Sequence, residues 1–227
     1  MAKAAKTGQG PTGQGKARKA AAAEDGRITD PVDVLLTLVA SQGWRAITLG
    51  RVAEASGLSL SDLYSRYGSK SDLLSAYARR VDAAMLAALG EPGAAPTEPD
   101  AIKDRLFEAV MARLDALAMH KPAIRVLARE LPGDPAALAV FLCGGLRRGL
   151  DWTLAAADLD TGGVAGMMRR KLIGGIYLDT LRVWLKDDSP DLAATMAHLD
   201  KRLGQSLRWL TGRGPFAAFR EKAEARA

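Results

Sequence analysis

The stretch Thr48–Leu74, with the sequence TLGRVAEASGLSLSDLYSRYGSKSDLL, decides the fold. It holds two short segments with apolar residues at helical spacing, and Gly57 separates them. Thr48 and Ser59 stand where helix N-caps are expected, because a hydroxyl oxygen there accepts a hydrogen bond from a free backbone N–H of the first turn. Ser69 begins a further segment in the same way. Two short helices joined by a glycine-bearing turn are typical of a helix-turn-helix.

Helical patterns flank this stretch on both sides. Asp30 followed by Pro31 marks a helix start, because the carboxylate caps free N–H groups and proline has no N–H to leave unpaired. Three prolines and a glycine in 91–100 separate the front helices from the rear ones. The helices are predicted at 30–43, 48–57, 59–67, 69–89, 100–119, 122–130, 135–157, 164–186 and 190–210. No run alternates as a strand does, so we predict an all-α fold with an N-terminal three-helix helix-turn-helix domain and a C-terminal helical domain.

The residue inventory argues against an enzyme. His120 and His198 are isolated, no Cys or His cluster has metal-ligand spacing, and no glycine-rich phosphate loop follows a strand. We therefore expect no catalytic residues, no metal and no cofactor. Cys143, the single cysteine, follows Phe141 and Leu142 and is expected to be a buried small hydrophobe. No apolar run is long enough to span a bilayer and no secretory signal begins the chain, so a cytoplasmic location is expected.

The quoted stretch resembles the TetR family of transcriptional regulators. The similarity covers residues 28–89 and is most specific at 63–74, where Leu-Tyr, two residues, an aromatic and a Ser-Lys pair precede an apolar doublet. The resemblance implies a homodimer that binds a palindromic operator in double-stranded DNA. It further implies a repressor that is released from DNA by a small apolar effector.

The same resemblance assigns DNA-contacting residues. Thr48, Tyr64 and Lys70 correspond to phosphate contacts, and Lys70 adds its charge to a helix N-terminus. Leu60 stands at a base-reading position that is often basic in the family, and Asp62 puts an anion beside it. Leu60 could meet a thymine methyl group and Asp62 could accept from cytosine, or Asp62 only completes a capping box with Ser59. The full predicted set is Thr48, Ser59, Leu60, Ser61, Tyr64, Arg66, Tyr67 and Lys70.

The rear helices correspond to the family's effector-binding and dimerisation region, whose last two long helices form the dimer. The segment 135–157 is apolar nearly all round, so we expect it in the middle of its domain. Large apolar residues there either line an effector pocket or belong to an ordinary core. The predicted pocket residues are Met111, Phe141, Trp152, Met167, Met168, Tyr177 and Trp184.

A second resemblance concerns the C-terminal region. Residues 167–203, MMRRKLIGGIYLDTLRVWLKDDSPDLAATMAHLDKRL, are similar to the TetR-fold lipid-binding proteins of ubiquinone biosynthesis. A paired arginine precedes an apolar helix with Ile-Tyr, and an acidic Ser-Pro-Asp turn follows. This resemblance implies an alternative function, a lipid-binding accessory protein with little or no DNA binding. The end of the chain is short and broken by glycine and proline, so we expect no membrane contact.

Composition and these resemblances divide the chain. Residues 1–27 hold six basic and two acidic residues, so they carry +4 of the net charge of +6. We expect a disordered basic leader, either a solvated tail or an arm that contacts DNA phosphates. The other predicted parts are a helix-turn-helix domain at 28–90, a linker at 91–99, an effector-binding and dimerisation domain at 100–211, and a tail at 212–227.

Overall fold

The computed structural model of the chain describes residues 29–90 and 98–211, so the predicted leader, the tail and most of the predicted linker lie outside the described residues. The described ranges are helical and contain no strand, which confirms the all-α prediction. The front helices are α1 Pro31–Gln42, α2 Leu49–Ala55, α3 Leu60–Arg66 and α4 Lys70–Leu89. The rear helices are α5 Pro99–Ala118, α6 Lys121–Glu130, α7 Pro135–Val140, α8 Arg147–Ala156, α9 Gly163–Trp184 and α10 Ala193–Leu210.

The front helices begin at the caps that the sequence predicts. Asp30 accepts from the Val32 N–H at 2.8 Å, and the Ser59 hydroxyl accepts from the Asp62 N–H at 3.0 Å. The Ser69 hydroxyl caps α4 in the same way. In a capping box the acidic side chain also accepts from the backbone N–H of the cap residue. Here the Asp62 carboxylate accepts instead from the Ser59 hydroxyl, at 2.6 Å. The short reach of these side chains makes the helix starts a local property of the sequence.

The core runs continuously from the front helices into the rear ones. Leu35, Val52 and Leu63 are fully buried where α1, α2 and α3 meet. The long helix α4 packs against α5, and α1 packs against α6. The front helices are therefore attached to the rear domain by two separate packing surfaces.

The predicted helix at 135–157 is present as one helical stretch over 135–156, but it does not lie in the middle of its domain. Its segment Phe141–Leu146, between α7 and α8, is π-helical. Only one face packs against the neighbouring helices, while Val140, Leu142 and Trp152 are exposed. Cys143 is exposed too, contrary to the expected buried position. An apolar pattern on all sides of this helix therefore did not mean burial on all sides.

A buried ion cluster joins α4 to the rear domain. Asp82 of α4 lies 2.6 Å from Arg113 of α5, and their side chains are 6% and 4% exposed. Arg148 of α8 lies 3.5 Å from the other oxygen of Asp82, with a side chain that is 35% exposed. Gly149 leaves room for Arg113, since a Cβ there would lie 2.1 Å from a guanidinium nitrogen. The Arg113 guanidinium also faces the Tyr177 ring at 5.5 Å.

The last helix begins three residues later than predicted, at Ala193. Leu192, just before it, has a left-handed backbone with φ of 51°. The cap comes from Asp187, whose carboxylate accepts from the N–H and hydroxyl of Thr195 at 2.9 and 2.7 Å. The Ser189 hydroxyl donates to the same carboxylate at 2.5 Å. Hydrogen bonds from Ser189 and Thr195 hold the pKa of Asp187 well below its usual range.

Within residues 29–90 and 98–211, no helix combines the length and the hydropathy that a membrane span requires.

Candidate nucleic-acid interface

The outer face of α3 presents the central residues of the predicted DNA contact. Leu63 is completely buried in the core, and α3 packs against α2. On the opposite side, Leu60 and Tyr64 are 58% and 73% exposed. Because residues four apart share one face of a helix, these two side chains lie side by side with Ser61 next to them. These side chains are therefore accessible to a partner that approaches this face.

The other predicted contacts lie around this face. Thr48, Ser59 and Arg66 are exposed, whereas Tyr67 is half-buried and packs against the core. Thr48 and Ser59 act as helix caps, and their hydroxyls accept from backbone N–H groups at 3.4 and 3.0 Å. Arg51, which the sequence reasoning did not select, is exposed in the first turn of α2. Its place one turn after Thr48 is the signal by which it could have been found.

The ammonium group of Lys70 is bound to Trp44 within the protein. Its ammonium group donates to the Trp44 carbonyl oxygen at 3.1 Å and lies 4.3 Å from the centre of the Trp44 ring. Burial lowers the pKa of Lys70, and the nearby Asp134 carboxylate partly offsets this effect. A phosphate contact through Lys70 therefore requires the ammonium group to leave Trp44.

The seven predicted pocket residues are not brought together around one cavity. Tyr177 and Trp184 are buried in the core, and Phe141 is half-buried against it. Trp152, Met167 and Met168 are exposed. Met111 lines an open cleft of about 510 Å³ between α4 and α5, with Ala84, Ala88, Leu89, Glu108, Ala112, Asp115 and Ala116. This cleft lies beside the helix that carries the front domain.

The outward face of α9 and α10 carries an open glycine on each helix. A Cβ added to Gly175 or to Gly204 would meet no atom within 4 Å. Leu178, one turn after Gly175, is exposed, and so is Ala197, two turns before Gly204. Two adjacent helices with open glycines allow another helix pair to approach closely.

The fold and the exposed face of α3 place the chain in a class of all-α proteins. Members of this class have an accessible helix-turn-helix that precedes a helical domain. Among solved structures, the chain is similar to the TetR transcriptional regulator from Nitrosomonas europaea ATCC 19718, with a TM-score of 0.58 and 24% identity over 77% of this chain and 94% of that one. A TetR transcriptional regulator from Rhodococcus sp. RHA1 gives a TM-score of 0.54 and 12% identity over 85% and 97%. The chain thus has the fold of TetR-family regulators, as predicted.

The C-terminal likeness is also confirmed. The COQ9 family model matches residues 167–209, which comprise nearly all of α9 and α10. No curated protein matches the chain in sequence.

Proposed function

We propose that the chain is a TetR-type transcriptional regulator that binds double-stranded DNA through α2 and α3. The observation that carries the proposal is the exposed face of α3, where Leu60, Ser61 and Tyr64 project from a helix that Leu63 fixes in the core. In a helix-turn-helix, the second helix enters the major groove with its N-terminal residues on the base edges. Leu60 and Ser61 then read bases, while Thr48, Tyr64 and Arg66 contact phosphates.

We propose that the functional unit is a homodimer formed by α9 and α10. The open glycines at 175 and 204 and the exposed Leu178 support a close-packed four-helix interface with a second copy. A two-fold axis through this interface presents two reading helices to a palindromic operator, and the dimer sets their separation. The regulator acts as a repressor in the cytoplasm.

The effector in this proposal is a small apolar molecule that lodges in the cleft at Met111. Alanines and a leucine line this cleft on the α4 side, so occupation of the cleft changes the packing of α4 on α5. Because α4 carries the helix-turn-helix, its displacement alters the spacing of the two reading heads.

The test is selection of bound genomic fragments by the purified full-length chain at low salt. We expect a palindromic site, with a linear dependence of log affinity on log salt. Arg66→Ala removes two phosphate contacts per dimer and should reduce that slope by about 1.8, whereas Arg129→Ala, which removes an exposed charge from α6, should leave it unchanged. Leu60→Ala should change the preferred DNA sequence and leave the salt slope unchanged, because the leucine carries no charge. Retention of no fragment would refute the proposal.

The COQ9 match at 167–209 favours one alternative, a lipid-binding accessory protein with little or no DNA binding. Organic extraction of the purified chain followed by mass spectrometry distinguishes the two. A stoichiometric apolar lipid together with no retained DNA supports the alternative. A lipid that releases retained DNA identifies it as the effector.

A further inference from the structure

The loop between α1 and α2 is bound directly to the turn between α6 and α7, although the two are about 90 residues apart in sequence. The Trp44 backbone N–H donates to the Glu130 carboxylate at 2.9 Å, and the indole N–H donates to the Asp134 carboxylate at 3.0 Å. The Arg45 guanidinium donates to the Gly133 carbonyl oxygen at 3.1 Å. Three hydrogen bonds thus connect the front loop to one short turn of the rear domain.

This contact is closely fitted. Gly43 has a φ of 85°, and a Cβ there would lie 3.0 Å from both Glu130 carboxylate oxygens. Both the backbone conformation and the lack of space therefore favour glycine. Trp44 is buried, so its ring has a fixed position between the two parts of the chain. A displacement of the 130–134 turn cannot leave the front loop unchanged.

The same contact restrains two cations of the front domain. Lys70 rests on the ring and carbonyl oxygen of Trp44, with the Asp134 carboxylate close enough to influence it. Arg45 is bound by the turn itself. Since non-specific DNA affinity rises with the number of phosphates neutralised, restraint of these two side chains lowers the charge that is available for DNA.

We propose that the turn 130–134 is a latch through which the rear domain controls the access of Lys70 and Arg45 to DNA phosphates. This inference rests on the proposed function and adds a second route of regulation, separate from α4. While the turn holds Trp44, the ammonium of Lys70 remains over the indole. When the turn withdraws, Trp44 loses two acceptors, Lys70 loses its neighbouring anion, and both cations become available to the duplex.

The latch itself is tested by amide hydrogen exchange on the full-length chain, with no DNA present. Glu130→Ala removes the acceptor of the Trp44 N–H, so exchange in residues 43–48 should accelerate about tenfold, the loss expected for a hydrogen bond to a charged group. Glu130→Gln retains an acceptor and should restore most of the protection. Lys186→Ala, at an exposed position of the rear domain that is distant in sequence from the turn, should exchange as the wild type does. Unchanged exchange in Glu130→Ala would overturn the latch.

The regulatory role is tested with the DNA fragment selected by the wild type. Asp134→Asn keeps an acceptor for the indole and a helix cap but removes the anion near Lys70. It should bind about fivefold more tightly at low salt, with a salt slope steeper by about 1.8, since each dimer gains two lysine contacts. In a Lys70→Gln background the Asp134→Asn change should have no effect. Equal effects in both backgrounds, or none in either, would overturn the role of the latch. Retention of no fragment by the wild type would instead refute the proposed function.

Discussion

Removal of the buried carboxylate of Asp82 should be among the most destabilising single changes in the described chain. Asp82 and Arg113 are nearly inaccessible to solvent and lie 2.6 Å apart. Asp82→Ala leaves the guanidinium of Arg113 charged, buried and without its counter-ion. Loss of one partner from a buried pair costs about 3–5 kcal/mol. Arg148 contacts the same carboxylate from a site that is about one third exposed, so Arg148→Ala should cost about 1 kcal/mol or less.

Urea unfolding followed by circular dichroism measures this difference. With a slope of about 3 kcal/mol per molar urea, Asp82→Ala should lower the unfolding midpoint by about 1–1.7 M and Arg148→Ala by about 0.3 M or less. All variants are compared at one protein concentration, because dimer formation stabilises the folded state.

A double variant separates charge burial from packing. Asp82→Leu combined with Arg113→Met replaces the pair by apolar side chains and should recover most of the lost stability. Asp82→Ala could instead lower the free energy of unfolding by less than about 1 kcal/mol, or by no more than Arg148→Ala does. Either result would show that burial does not determine how much this ion pair stabilises the fold.

Three further outcomes are expected. Gly149→Ala should lower the melting temperature because its Cβ would lie 2.1 Å from a buried guanidinium nitrogen, whereas Gly144→Ala, with open space around it, should not. Leu63→Ala should cost about 2–5 kcal/mol in urea unfolding, and Leu60→Ala less than about 0.5, since only the former side chain is buried. The lowered pKa of Asp187 stabilises the fold above pH ~4, the unfolded value, and this contribution is lost as the pH falls further. Asp187→Asn should therefore lose less stability than the wild type between pH 4 and pH 2; equal losses would contradict the assigned cause.

Local chemistry in the sequence determined the front helices and their caps. An aspartate or serine caps the N–H groups two or three residues ahead, so Asp30, Ser59 and Ser69 mark helix starts without reference to the rest of the chain. The exposed face of α3 was predicted by the family resemblance, because helical spacing alone does not distinguish Leu60 from Leu63. The helical class and the TetR-like fold could thus be predicted from residues close together in sequence.

Only the tertiary structure decided the contacts between distant segments. The hydrogen bonds from Trp44 to Glu130 and Asp134 join residues 86 and 90 positions apart, and no sequence pattern predicts such pairs. Asp187 caps α10 through Thr195, eight residues further on, and Trp152 is exposed although it lies in an apolar segment. Hydrogen bonds within one turn are fixed by chain connectivity, whereas burial and long-range pairing depend on where whole helices come to rest against one another.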